Sequence, residues 1–268
     1  MKPKLIVTDL DGTALRNDKT LSEETIEAFA RCKENNIPVA IATARYIIGA
    51  KPYADALQAD YQILTDGTLV LHNDEIIYSN TMDLSMTNQI LQQLYQKNFL
   101  KHIAVPTAEG LFRYPVESTS PAMSQTASEQ NKDPQTPGIY FDITKEFPYP
   151  ANKMVVELPY PEAAKEIASA CGCKQFQYRN ENRYTFFHPT ASKLNAISFL
   201  ASRLQISLRD ILVFGDDIND IEMITHCGCS VAMGNALDEV KDAADFVTDS
   251  NEKNGVAAFL LHHVLSSR

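Results

Sequence analysis

Leu5-Ile6-Val7-Thr8-Asp9-Leu10-Asp11-Gly12-Thr13 is the stretch from which the fold can be read. Three apolar residues lead into Thr8 and Asp9, and Gly12 follows at once, which is the pattern of a buried strand running into a turn. Beyond the turn, Ser22 precedes Glu23 and Glu24, acidic residues that suit the positive end of a helix. Ile26, Phe29, Ala30 and Cys32 then continue at helical spacing as far as Asn35-Asn36. A second apolar run, Pro38 to Ala42, stops at Thr43. Strand, helix and strand in such close succession predict a right-handed crossover in a parallel sheet.

The same grammar returns near the other end of the chain. A helix with Leu194, Ile197, Ala201 and Leu204 on one face leads to the apolar run Ile211 to Phe214 and then to Gly215-Asp216. Ser230 to Met233 and Phe246 to Thr248 read as further short strands, with helical segments near Asp220 to Cys227 and Asp238 to Ala243. A last helix is expected from about Val256 to Leu265. Both ends therefore belong to one sheet. The middle reads differently: a helix with Ile90, Leu91 and Leu94, strand-like runs at Gly138 to Ile143 and Lys153 to Leu158, a helix from Pro161 to Cys171 and a strand from Arg183 to Phe187. The expectation is an α/β core formed by residues 1–82 and 189–268, with a separate α/β unit, residues 83–188, inserted into it. Ser118 to Pro137 is polar, holds few large apolar side chains, and reads as a long loop or a flap beside the substrate.

Composition removes several classes of function. The chain has 268 residues, 44% of them hydrophobic and 22% charged, which allows a buried core and argues against overall disorder. With 34 acidic against 24 basic residues the net charge is -10, so nothing draws the whole surface to nucleic acid or anionic lipid. The apolar run before Asp9 is too short for a signal peptide, and no stretch approaches the roughly 18 apolar residues of a membrane span. The five cysteines, Cys32, Cys171, Cys173, Cys227 and Cys229, are odd in number and their Cys-x-Cys spacing is not that of a zinc site. They read as structural thiols in a reducing cytoplasm.

In an open parallel sheet, ligands bind outside the carboxyl ends of the strands. Asp9 and Asp11 follow the first strand, Thr43 the second, and Asp216, Asp217, Asn219 and Asp220 the strand that ends at Phe214. Carboxylates crowded into so small a space need a cation among them, and an oxygen-rich cluster selects a hard one, most simply Mg2+. Such a site suits a phosphate ester. Asp9 would attack phosphorus, with Lys193 and the metal neutralising the charge, and Asp11 would exchange protons with the leaving oxygen and then with water, provided its pKa is raised.

Asp9-Leu10-Asp11-Gly12-Thr13, Thr43 in Ile-Ala-Thr-Ala-Arg, Lys193 and Gly215-Asp216-Asp217-Ile218-Asn219-Asp220 resemble, in order, the four motifs of the haloacid dehalogenase superfamily. Met233-Gly234-Asn235-Ala236, Ala244-Asp245 and Asn254-Gly255-Val256-Ala257 are similar to the C-terminal segment of its Cof-like sugar-phosphatase branch. The resemblance implies a Rossmann-like, doubly wound parallel core with an inserted α/β cap that chooses the substrate. It implies a Mg2+-dependent phosphatase working through an aspartyl-phosphate on a small phosphorylated metabolite such as a sugar phosphate. Asp9 would be nucleophile and metal ligand, Asp11 the acid/base with its backbone carbonyl on the metal, Asp216 a further ligand and Asp220 a metal-site residue acting through water. Thr43, Lys193 and Asn219 would hold the phosphoryl group. Two departures stand out. The branch usually has Thr-Gly-Arg where this chain has Thr43-Ala44-Arg45, and Asn-Gly where it has Asp66-Gly67, an exchange of amide for carboxylate that puts phosphate contact by residue 66 in doubt.

Each feature also has a plainer reading. Asp-x-Asp-Gly after a strand can be an ordinary turn, Asp216 to Asp220 a helix cap, Thr43 another cap and Lys193 a solvated charge. Their joint order favours catalysis. Asp217 is left out of the metal set. His188, Arg183 and Tyr184 read as a packed strand end, and His102, His226, His262 and His263 as surface or packing residues. A hexose phosphate phosphomutase and a non-catalytic sensor of a phosphorylated ligand are the competing functions.

Overall fold

The structure, a computed structural model, describes residues 2–114, 138–179 and 181–266. The expected polar flap at Ser118 to Pro137 lies outside the described residues. The chain divides into two compact units, Met1–Ser79 with Ala191–Arg268, and Asn80–Thr190. The sequence reading puts the crossings at 82/83 and 188/189. The structure puts them at 79/80 and 190/191, because a strand ending at Ser79 pairs into the first unit's sheet.

The first part of that unit carries β1 (Leu5–Thr8), α1 (Glu23–Glu34), β2 (Val39–Ala42), α2 (Ile47–Ala56), β3 (Tyr61–Leu64), β4 (Leu69–His72) and β5 (Glu75–Ser79). The second unit carries α3 (Leu84–Gln96), β6 (Lys101–Thr107), β7 (Gly110–Tyr114), β8 (Ile139–Tyr140), β9 (Met154–Glu157), α4 (Pro161–Cys171), β10 (Lys174–Gln177) and β11 (Arg183–Phe187). The chain then returns with α5 (Lys193–Leu204), β12 (Ile211–Gly215), α6 (Ile221–His226), β13 (Cys229–Ala232), α7 (Asp238–Ala243), β14 (Phe246–Val247) and α8 (Gly255–Phe259).

In the first unit the strand order is β14-β13-β12-β1-β2-β3-β4-β5. All neighbours from β14 to β3 run parallel, and β4 and β5 add an antiparallel edge. Every residue of β1, β2 and β12 is buried, as expected for central parallel strands covered on both faces. The chain leaves β1 for β2 in one direction and β12 for β13 in the other. Right-handed crossovers therefore set α1 and α6 on opposite faces, and the switch point falls between β1 and β12. The side chains of Asp9 and Asp216 leave the sheet at that crevice.

Local chemistry explains the elements. The Ser22 hydroxyl accepts the Thr25 amide at 3.0 Å and caps α1, whose buried Thr25, Ala28, Phe29 and Cys32 follow the helical repeat. The last helix expected to Leu265 is an α-turn at Gly255–Phe259 that widens into a π-type segment at Leu260–Val264. Of the expected strand at Gly138 to Ile143, only Ile139–Tyr140 pairs.

The second unit has its own sheet, ordered β10-β11-β9-β6-β7-β8, antiparallel except between β7 and β8. Its separate core joins Ile90, Leu94, Val105, Val156, Ile167 and Phe186. A recess of about 670 Å³ is lined wholly by this unit, with Lys101, His102, Arg113, Glu157 and Arg183 around it. No catalytic candidate lies in that recess.

Candidate active site

Lys193 is the first residue of α5, where the helix dipole disfavours a cation. It is nevertheless 1% exposed, so the solvated-charge reading fails. Its ammonium donates to Asp9 Oδ1 at 2.7 Å and to Asp220 Oδ1 at 2.6 Å, linking the ends of β1 and β12. Burial acts to lower the Lys193 pKa, but Asp220 and Asp9 outweigh it and hold the group above its ordinary range. Asp220 spends its other oxygen on the backbone amides of Asp216 at 3.0 Å and Asp217 at 3.2 Å. Asp217 turns to the Ile218 amide at 2.7 Å, in keeping with a capping role.

Asp216 accepts the Thr13 hydroxyl at 2.6 Å, tying the first loop to the third. Gly12 has φ +85°, and a methyl group there would collide with the Asp216 carboxylate. A Cβ on Gly215 would likewise lie 2.6 Å from Cβ of Asp220. The two glycines therefore let three carboxylates close in: Asp9, Asp216 and Asp220 each offer an oxygen within 4.8 Å of the others, and all are buried. Burial pushes the Asp9 pKa well above the carboxylate range, against the pull of Lys193, with Asp220 and Asp216 adding to the rise. Burial and then Asp220 raise Asp216 to about 7. Three buried carboxylates against the single ammonium bonded among them form an oxygen-only, electron-rich cluster, a donor set that fits a hard divalent cation such as Mg2+.

Asp11 departs from expectation. Its carboxylate accepts Arg45 Nε at 2.6 Å, Arg45 Nη2 at 2.8 Å and Lys19 Nζ at 2.8 Å. Burial alone would raise its pKa, but the Arg45 bonds prevail and lower it to about 2. The raised pKa that giving a proton requires is thus absent in this arrangement, because a bidentate guanidinium fixes the ionised form. Arg45 is steadied by the Gly49 carbonyl at 3.2 Å and lies 4.8 Å from the centre of the Tyr53 ring.

Thr43 is buried at the end of β2, where its hydroxyl accepts the Arg45 amide at 3.2 Å. Asn219 is half-buried and donates through Nδ2 to Asp66 Oδ1 at 3.1 Å. Asp66 belongs to the turn after β3, and its amide donates to the Thr43 carbonyl at 3.1 Å.

Residues 6–260 match the family of haloacid dehalogenase-like hydrolases. The chain belongs to that family. Among relatives of this hydrolase, 5-amino-6-(5-phospho-D-ribitylamino)uracil phosphatase YitU of Bacillus subtilis is 27% identical over 97% of this chain and 97% of its own. Pyridoxal phosphate phosphatase YbhA of Escherichia coli is 26% identical over 99% and 100% of the two chains. A solved haloacid dehalogenase-like hydrolase from Bacteroides thetaiotaomicron superposes with a TM-score of 0.80 at 25% identity, covering 97% of this chain and 99% of that one. These neighbours show the doubly wound α/β fold, and the second sheet fits a cap.

Of the residues singled out in the sequence, Asp9, Lys193, Asp216 and Asp220 meet in one hydrogen-bonded cluster of this hydrolase. Thr43 bonds to Arg45 and Asn219 to Asp66, while the Asp11 carboxylate is taken up by Arg45 and Lys19. Reading the sequence missed the parts played by Thr13, Lys19 and Arg45. Thr13 and Arg45 lie inside the quoted motifs, so their presence was visible, but which carboxylate each would meet depends on the fold. Among the described residues no helix is long and apolar enough to cross a membrane.

Proposed function

We propose that this hydrolase is a phosphatase that hydrolyses a small phosphorylated metabolite through an aspartyl-phosphate on Asp9, with Mg2+ as cofactor. One observation carries the reading: a buried ammonium bridges Asp9 and Asp220 within a cluster of three carboxylates at the switch point of the sheet. The family match and two relatives named as phosphatases of small phosphorylated molecules support it. Five free cysteines fit a reducing compartment such as the cytoplasm. The second unit is the cap in this reading, and its side chains select the leaving group.

Asp9, Asp216 and the backbone carbonyl of Asp11 would hold the metal, and Asp220 would act in the same site. Bound there, Mg2+ supplies the positive charge that lets a carboxylate approach a phosphate anion. Lys193 occupies Asp9 Oδ1, which leaves Oδ2 to attack phosphorus. The phosphorus–oxygen bond to the leaving group breaks as the new bond forms, while Lys193, Thr43 and Asn219 hold the phosphoryl oxygens. Water then attacks the aspartyl-phosphate and Asp9 is regenerated. The ionised Asp11 is competent to take the proton of that water. To give a proton to the leaving oxygen in the first step, it must first part from Arg45 and take up a proton from solvent, which it then passes to that oxygen.

The test is release of phosphate from a panel of phosphorylated metabolites with Mg2+. Turnover is expected for at least one sugar, nucleotide or cofactor monophosphate, lost on chelation and reduced to background in Asp9→Asn. Unaltered hydrolysis by Asp9→Asn refutes the mechanism.

A further inference from the structure

We propose that Asp66 is a positioning residue of the phosphoryl site, which aims the Asn219 amide and, by its charge, keeps the released phosphate weakly held. The inference rests on the phosphatase reading above.

Asp66 is a carboxylate only 6% exposed, and it stands outside the Asp9, Asp216 and Asp220 cluster. The turn that carries it is strained. Thr65, Asp66 and Gly67 have φ of 49°, 59° and 88°, three successive left-handed residues, of which the first two carry a Cβ. Such a turn persists only where its surroundings impose it. Here the Asp66 amide donates to the Thr43 carbonyl at 3.1 Å and the Thr65 amide to the Arg45 carbonyl at 3.0 Å. On the other side Gly67 lies so near the backbone of Ser192 and Lys193 that a methyl group would collide with both. The turn is clamped between the strand end that bears Thr43 and the helix start that bears Lys193, two of the three residues assigned to the phosphoryl group.

The third, Asn219, meets the Asp66 side chain itself. Its Nδ2 donates to Asp66 Oδ1 at 3.1 Å. An ionised carboxylate only accepts, so the amide must turn its nitrogen toward residue 66, and the direction of the group is fixed. One N–H is committed, and the second is left pre-aimed for a phosphoryl oxygen. The same carboxylate places negative charge beside a site that must bind an anion, and partial burial strengthens that repulsion. The two effects oppose each other in binding and serve different steps: alignment favours the transition state, and repulsion hastens loss of inorganic phosphate.

Asp66→Asn and Asp66→Ala separate them. Asparagine tolerates the left-handed conformation and its amide oxygen can still accept from Asn219, so this variant removes charge alone. With Mg2+ present, inorganic phosphate should inhibit Asp66→Asn about tenfold more tightly than wild type. Asp66→Ala also loses the acceptor. It should keep only part of that gain and lose several-fold in single-turnover rate, with thermal melting confirming that both variants fold. Phosphate no tighter on Asp66→Asn overturns the charge role, and identical behaviour of the two variants overturns the positioning role. A wild type that neither hydrolyses phosphate esters nor is inhibited by phosphate removes the phosphatase reading and this inference with it. An active wild type beside an unchanged Asp66→Asn removes this inference alone.

Discussion

Lys193 illustrates what residue-level chemistry decides. At the first position of a helix and 1% exposed, it would be a poor choice for stability were it not bonded to Asp9 and Asp220. Lys193→Met keeps most of the volume and removes the charge. The two carboxylates are then buried without their ammonium, at a cost of about 3–5 kcal/mol. Urea denaturation without metal should show a loss of that size, turnover should vanish, and Mg2+ should recover part of the stability because it supplies charge at the same carboxylates. A stability within about 1 kcal/mol of wild type would show that the bridge is not what holds the cluster together. The identities of these residues could be read from the sequence, because strand ends in a parallel sheet converge. The pairing of Asp11 with Arg45 could not: it depends on where α2 directs a long side chain, and nothing in the spacing of residues 11 and 45 encodes it.

Elements were legible where their ends carry chemistry of their own. α4 starts at Pro161 and stops before Gly172 at φ 66°, and the sequence places both ends correctly. α2 escaped because it holds Gly49 and Pro52, has no side-chain cap and buries only Ala50 and Ala54, so its period is faint. The hairpin of β4 and β5 escaped because its exposed strand lacks a strong apolar alternation. Equally hidden was the support of the loop after β1. Asn251 Nδ2 donates to the Leu15 carbonyl at 2.9 Å and to Asn17 Oδ1 at 3.1 Å, while Asn235 Nδ2 donates to the Gly12 carbonyl at 2.8 Å and its Oδ1 accepts the Asn251 backbone N–H at 2.9 Å. Two asparagines far along the chain thus fasten the loop that begins with Asp9. Asn251→Ala leaves the Leu15 carbonyl without this donor and should cost about 1–3 kcal/mol. It should also lower kcat, since Asp11 and Gly12 are less well held. Denaturant midpoints and initial rates check both effects, and an unchanged midpoint would mean that the tie is dispensable.

At the scale of the whole molecule, the chain forms two compact units, Met1–Ser79 with Ala191–Arg268, and Asn80–Thr190. Each unit has its own sheet and its own buried cluster. The carboxylates lie in one, and Ile167, fully buried, in the other. If the insert unfolds alone, the first unit still holds both ends of a long loop, and loop-closure entropy grows only slowly with length, by about 0.6 kcal/mol per doubling. The core should therefore survive loss of the insert. Scanning calorimetry of the full chain is expected to show two transitions that can be moved separately. Mg2+ at a hundred times its dissociation constant should stabilise the transition of the unit bearing Asp9 by about 2.7 kcal/mol and leave the other in place. Ile167→Ala should lower the second by about 2–5 kcal/mol, through lost burial and the cavity left behind, without altering the response to Mg2+. A single transition displaced by both changes would mean that the two cores unfold as one.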